Sequence, residues 1–189
     1  MIIQFLSGSV MYSHIIARML KIDLTKVRDG NPGSTNLWRA AGWKFGLPAL
    51  LLDYFKGVFP LIIFIWTGQI SNGFFVSLIA LSGVLGHAFS PMLKFKGGKG
   101  VATTFGAWTV LTGWEAPTIL GSFLTIFSLL KPKSSPREDS VKYILGLFIL
   151  AIYVTIKSFI IKDWYLVIFY IGSLLIAFYK NKKELVGDI

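Results

Sequence analysis

Cysteine is absent from the chain, so neither a disulfide nor a thiolate metal site can form. Charge is also scarce. Charged residues make up 15% of the 189, against roughly 25% in an ordinary soluble domain. Histidine occurs twice, at positions 14 and 87, and neither is spaced with carboxylates as a metal site requires. No GxSxG elbow or Ser/His/Asp arrangement is present. No run of 20 to 50 residues repeats, and no linker is long enough to separate two domains. These absences exclude a disulfide scaffold, a solenoid and a serine hydrolase of the elbow type. They leave no expected metal or cofactor, and a soluble globular fold fits poorly.

What fills the chain is apolar. Hydrophobic residues are 54%, the mean hydropathy is +0.66, and there are 16 Phe and 6 Trp, which suits a lipid-facing surface with aromatic belts. Seven apolar segments run over roughly 2–20, 47–67, 73–93, 101–114, 117–130, 143–161 and 164–179. A spanning helix needs about 20 residues. The fourth and fifth segments are short, and Ser7-Gly8-Ser9 interrupts the first, which is too polar for a cleaved signal peptide. The pattern predicts an all-α integral membrane protein of about seven transmembrane helices, formed by a single domain over 1–189. Alternating loops would put sixteen of the 19 basic residues on one face. The positive-inside rule then sets the N-terminus outside and the C-terminus in the cytoplasm. On such a protein a net charge of +10 speaks of orientation and anionic lipid, not of nucleic acid.

Two polar loops fall on the basic face. The first, Gly30-Asn31-Pro32-Gly33-Ser34-Thr35-Asn36, is rich in residues that turn amides toward an anion. Ser34, Thr35 and Asn36 are good helix N-caps, with Arg39 about one turn further on. An ordinary capped polar turn fits the same residues. The second reads KFKGGKG, residues 94–100. It lacks the GxxxxGK(S/T) spacing of a P-loop. It suits either a phosphate cradle or a lipid anchor, but an anchor has no need of Gly97, Gly98 and Gly100. Asp53 and Lys56 share a helix face at i, i+3, and such a pair inside a span should face the bundle interior. His87 precedes the second loop and suits an orienting or a base role. The loop 131–142, KPKSSPREDSVK, is flexible by composition, with Arg137 and Ser140 three residues apart.

Three blocks in this order resemble the membrane-integral acyl-phosphate:glycerol-3-phosphate acyltransferases of bacteria, the PlsY type. They are Asp23 through Arg39; Leu52, Asp53, Lys56, Gly57 and Pro60; and Gly86 to Thr103. The likeness covers roughly residues 7–145. It implies a seven-helix, monomeric enzyme of the cell inner membrane, with its active-site loops on the cytoplasmic side and no cofactor, metal or coenzyme A. Its substrates would be acyl phosphate and glycerol 3-phosphate. The products would be 1-acylglycerol 3-phosphate and phosphate. Arg39 and Lys99 become the expected catalytic residues. Gly30, Asn31, Gly33, Ser34, Thr35, Asn36, His87, Lys96, Gly97, Gly98, Gly100 and Ser140 become the expected substrate-binding set.

Some positions depart from the pattern. Arg28 and Asp29 stand where the family has glycine and serine, and Asp29 should repel a phosphate unless Arg28 or Lys26 pairs with it. The first span lacks the family's proline. Tyr179, Lys180 and Lys182 stand in place of a histidine, an arginine and an asparagine. A relative with an altered acceptor or no catalysis therefore remains open, as does a small transporter of a phosphorylated metabolite.

Overall fold

The computed structural model describes residues 1–187, and every regular element among them is helical. The first apolar segment is not one continuous helix. It is two eight-residue helices, α1 (Ile2–Ser9) and α2 (Tyr12–Met19), separated by extended backbone at Val10. Two features explain the break. Gly8 lies directly against the backbone of Gly83, and a Cβ at Gly8 would collide with the Gly83 carbonyl, so α1 is held in backbone contact with its neighbour. The carbonyl freed at Val10 is taken by the buried Lys56, whose Nζ lies 2.6 Å away. Irregular backbone at membrane depth persists only where the protein satisfies it.

The short helix α3 (Ser34–Ala41) leads through Gly42 into α4 (Trp43–Trp66), which carries Pro48 and Pro60. A proline in a helix orphans the carbonyl four residues earlier. For Pro60 that carbonyl belongs to Lys56, and it accepts from Gln4 Nε2 and Ser7 Oγ, each at 3.2 Å. The buried polar residues of α1 thus repair a defect in α4.

α5 (Gly73–Ala88) leads into a 3-10 turn at Pro91–Leu93. Three helical stretches are long and apolar enough to cross a membrane: Trp43–Trp66, Gly73–Leu93 and Pro136–Ile161. α6 (Val101–Thr112) and α7 (Glu115–Leu130) have 12 and 16 residues. At 1.5 Å per residue, α6 reaches about 18 Å, short of a roughly 30 Å hydrocarbon core. Gly113, at φ +64°, turns the chain between them.

The segment 131–142 is mostly helix, contrary to the flexible loop expected. α8 (Pro136–Ile161) starts on a reciprocal capping box between Ser135 and Glu138, which fixes its entry. The last helix, α9 (Tyr165–Val186), outruns the apolar segment at its C-terminal end and carries Lys180, Asn181 and Glu184 toward the basic loops. Trp108 and Phe169 meet edge to face at 4.8 Å in the core. Around it the outer surface is apolar, with Trp66, Leu130 and Ile160 at least 70% exposed, as lipid requires.

Candidate active site

Seven segments of chain meet in a cavity of about 460 Å³. Its polar lining includes Asn31, Gly33, Ser34 and Asn36, Lys99, and Asp139, Ser140 and Asn181. Its apolar lining includes Leu50, Leu51, Val101, Phe105 and Leu124. The first turns of two helices line it, α3 at Ser34 and α6 at Val101. Helix N-termini carry unpaired amides and a partial positive charge, so two at one cavity make an anion site. α8 adds the side chains of Asp139, Ser140 and Lys142, while Ser135 takes the amides of Glu138 and Asp139. The Gly100 cap of α6 adopts φ +77°, which glycine supplies without strain.

Two charge triads involve residues that line the cavity. In one, Lys99 Nζ lies 2.9 Å from Asp29 and 3.0 Å from Glu184, with Ser140 Oγ at 3.3 Å. In the other, Asp139 is 2.6 Å from both Arg28 and Lys142. Arg28 also donates to the Ser134 carbonyl at 2.8 Å, tying the first loop to the start of α8. Asp29 therefore pairs with Lys99, not with Arg28 or Lys26. Lys26 faces solvent beside Asp23. Burial pushes the Asp29 carboxyl up, but hydrogen bonds from Lys99 and Asn36 outweigh it and hold the group below its ordinary value of 3.8.

Asn36 is spent on the loop itself. Its Nδ2 faces the Val27 carbonyl, the Asn31 carbonyl and Asp29 Oδ1, all within 3.0 Å. Gly33, not Ser34, Thr35 or Asn36, is the N-cap of α3. Gly30 takes a turn at φ +70° and does not line the cavity. Thr35 and Ser34 lie on the wall between this cavity and a second of about 350 Å³ that contains Arg39 and Trp38. Arg39 and Lys99 thus sit in adjacent cavities that share Ser34, Thr35 and Leu50.

The glycines of KFKGGKG approach protein backbone. A Cβ at Gly97 would collide with the His87 carbonyl, and one at Gly98 with His87 Nε2. Gly98 N donates to the His87 carbonyl at 3.1 Å. Lys180 pins the same loop by donating to the carbonyls of Ala88 and Gly97 at 2.9 and 2.8 Å. Lys94 and Lys96 are exposed and stand outside the cavity. His87 lines the cavity above a buried group in which Asp53 pairs with Lys56 at 2.8 Å and approaches His87 Nδ1 at 3.9 Å.

A family profile described as glycerol-3-phosphate acyltransferase matches residues 1–187. The chain belongs to this family. A curated relative from Thermotoga maritima, glycerol-3-phosphate acyltransferase 1, is 58% identical over 97% of this chain and 93% of its own. Another, from Thermosipho melanesiensis, is 32% identical over 87% of this chain and 76% of its own. The crystal structure of PlsY (YgiH), an integral membrane glycerol 3-phosphate acyltransferase, in its glycerol 3-phosphate form superposes with a TM-score of 0.84. That match is 26% identical and covers 96% of this chain and 86% of the other. The lysophosphatidic acid form gives a TM-score of 0.82 at 25% identity over the same shares.

Within this glycerol-3-phosphate acyltransferase, sequence reasoning missed Asn181 and Glu184. Lys182 lines an outer groove with Phe178 and Tyr179. Asn181, one position earlier, is buried and lines the cavity. Helical periodicity carried a signal: Asn181 lies four residues after Ala177, which is buried, and its Nδ2 donates to the Ala177 carbonyl at 2.8 Å. Nothing in the local sequence marked Glu184, whose partner Lys99 is 85 positions away.

Proposed function

We propose that this acyltransferase takes the acyl group from an acyl phosphate and delivers it to the 1-hydroxyl of glycerol 3-phosphate. The products are 1-acylglycerol 3-phosphate and inorganic phosphate. One observation carries this reading: two helix N-termini and Lys99 meet at a cavity that apolar side chains also line. Donor and acceptor both carry phosphate, and the donor carries a fatty chain. Lys99 and the first-turn amides of α3 and α6 bind phosphate, and Arg39 offers a bidentate fork from the adjacent cavity. The chain lies along Leu50, Leu51, Phe105 and Leu124.

The donor is already activated, so holding the two phosphates side by side supplies much of the rate. The amides and Lys99 also meet charge as it develops on the attacked carbonyl. The displaced phosphate accepts the hydroxyl proton, and no protein nucleophile is needed.

The protein acts as a monomer in the cell inner membrane, with seven spans, the N-terminus outside and the loops of the site cytoplasmic. Supporting this, Trp66 ends α4, and Trp114 and Trp164 follow the ends of α6 and α8, opposite the basic loops, where an aromatic belt is expected. Purified protein given palmitoyl phosphate and glycerol 3-phosphate should release phosphate and form the lyso-lipid. An absence of turnover beside an active control enzyme would refute the assignment.

A further inference from the structure

Lys99 is held by three oxygens. It donates to Asp29 Oδ2 at 2.9 Å and to Ser140 Oγ at 3.3 Å, and it pairs with Glu184 Oε1 at 3.0 Å. A phosphate that binds Lys99 must take one of these places. The two carboxylates differ in what they keep once Lys99 turns away. Asp29 retains Asn36 Nδ2 at 2.8 Å and the Asn31 amide at 3.3 Å, both on Oδ1. Glu184 retains nothing: its Oε2 is buried and without a hydrogen-bond partner among the described residues. Parting Lys99 from Glu184 would strand a buried carboxylate, whereas parting it from Asp29 would not.

We propose that Glu184 is a positioning residue that keeps hold of Lys99 while the arriving substrate phosphate displaces Asp29. This rests on the assignment of Lys99 to substrate phosphate. Glu184 lies in the last turns of α9, so the C-terminal helix aims a donor of the glycine-rich loop. Ser140 stays beside Lys99 through the exchange, because its hydroxyl also donates to the Pro136 carbonyl at 3.0 Å. The exchange substitutes one anion for another at Lys99.

The test is titration of inorganic phosphate into the detergent-solubilised full chain by calorimetry, alongside steady-state kinetics and a thermal melt. Glu184→Ala should weaken phosphate binding about tenfold or more, the scale of one charge-assisted hydrogen bond. It should also lower kcat/KM for glycerol 3-phosphate. Glu184→Gln keeps an oxygen for Lys99 and should recover most of the binding. Asp29→Asn should tighten phosphate binding, because the competing charge is gone. Unchanged phosphate affinity in Glu184→Ala would overturn the proposal. So would a loss of affinity that Glu184→Gln fails to rescue and that tracks a fallen melting midpoint, which marks a purely structural role. If Glu184→Ala weakens phosphate while the wild type transfers no acyl group, the acyltransferase reading falls and the positioning role stands.

Discussion

Replacing Lys56 with methionine tests the buried polar group that joins α1, α2 and α4. Methionine keeps most of the length and removes the charge. Asp53 and Lys56 are 2.8 Å apart, with side chains 2% and 1% exposed. The substitution leaves Asp53 with only the Ser13 hydroxyl on its carboxylate, at 3.3 Å. It also orphans the Val10 carbonyl, which Lys56 reaches at 2.6 Å. Removing one partner of a buried pair costs about 3–5 kcal/mol, and an unsatisfied buried carbonyl adds about 1–3 kcal/mol. For a chain of this size each kcal/mol shifts Tm by about 2–4 °C, so Lys56→Met should lower the midpoint by at least about 6 °C. Adding Asp53→Asn removes the stranded charge and leaves chiefly the carbonyl, so the double variant should melt above the single one. Tryptophan fluorescence during heating in detergent reads both. A single variant within about 2 °C of wild type, well inside that estimate, would refute the reasoning, and so would a double variant that melts no higher.

Lys99→Ala should lower kcat/KM by about 100-fold or more, the scale of one lost transition-state donor. Lys94→Ala, at an exposed position, should leave most of the activity; steady-state kinetics of both variants check the division of roles in KFKGGKG. Arg39→Lys should behave more like Arg39→Ala than like wild type, because an ammonium cannot make the planar fork; the KM for each substrate is the readout. Gly106→Ala should cost about 1–3 kcal/mol by overpacking, since its methyl would meet the Tyr54 carbonyl across α4 and α6; a thermal melt measures it. The folded-state pKa of Asp29 lies below 3.8. Its stabilising contribution is therefore complete above that value and lost as pH falls through the folded pKa. Below about pH 4 the melting midpoint of wild type should fall more steeply than that of Asp29→Asn.

The apolar segments and the two polar loops were legible because hydropathy and glycine-lysine composition are local properties. Their boundaries failed where long-range contacts decide them. The first segment looked like one span with a soft centre. What breaks it is Lys56, 46 positions from the carbonyl it satisfies, together with the collision surface of Gly83. The start of α8 was readable in principle, since Ser135 with Glu138 three residues later is a capping-box pattern. The surrounding lysines and prolines masked it as a flexible loop. In the site, Lys99, Ser140 and the α3 turn converge as their residue types suggested. Arg39, on α3, lines the adjoining cavity, and Lys96 stands outside both, because a loop's composition does not say which of its side chains the bend turns inward.

The departures at Arg28 and Asp29 are better understood as a matched pair than as damage. Taken alone, a carboxylate in the first loop opposes a phosphate site. In the fold it sits between Lys99 and the amide of Asn36, and the neighbouring Arg28 crosses to Asp139, which Lys142 shares. One triad is two anions around a cation, and the other is two cations around an anion. Each would be unfavourable to bury alone, because each carries a net charge of one sign. Side by side they neutralise one another and fasten the first loop to α8 and α9. An arriving phosphate then meets a site already organised around an anion. It has to replace the carboxylate of Asp29, not gather loose lysines from water, and so less of its binding energy is spent on ordering the loops.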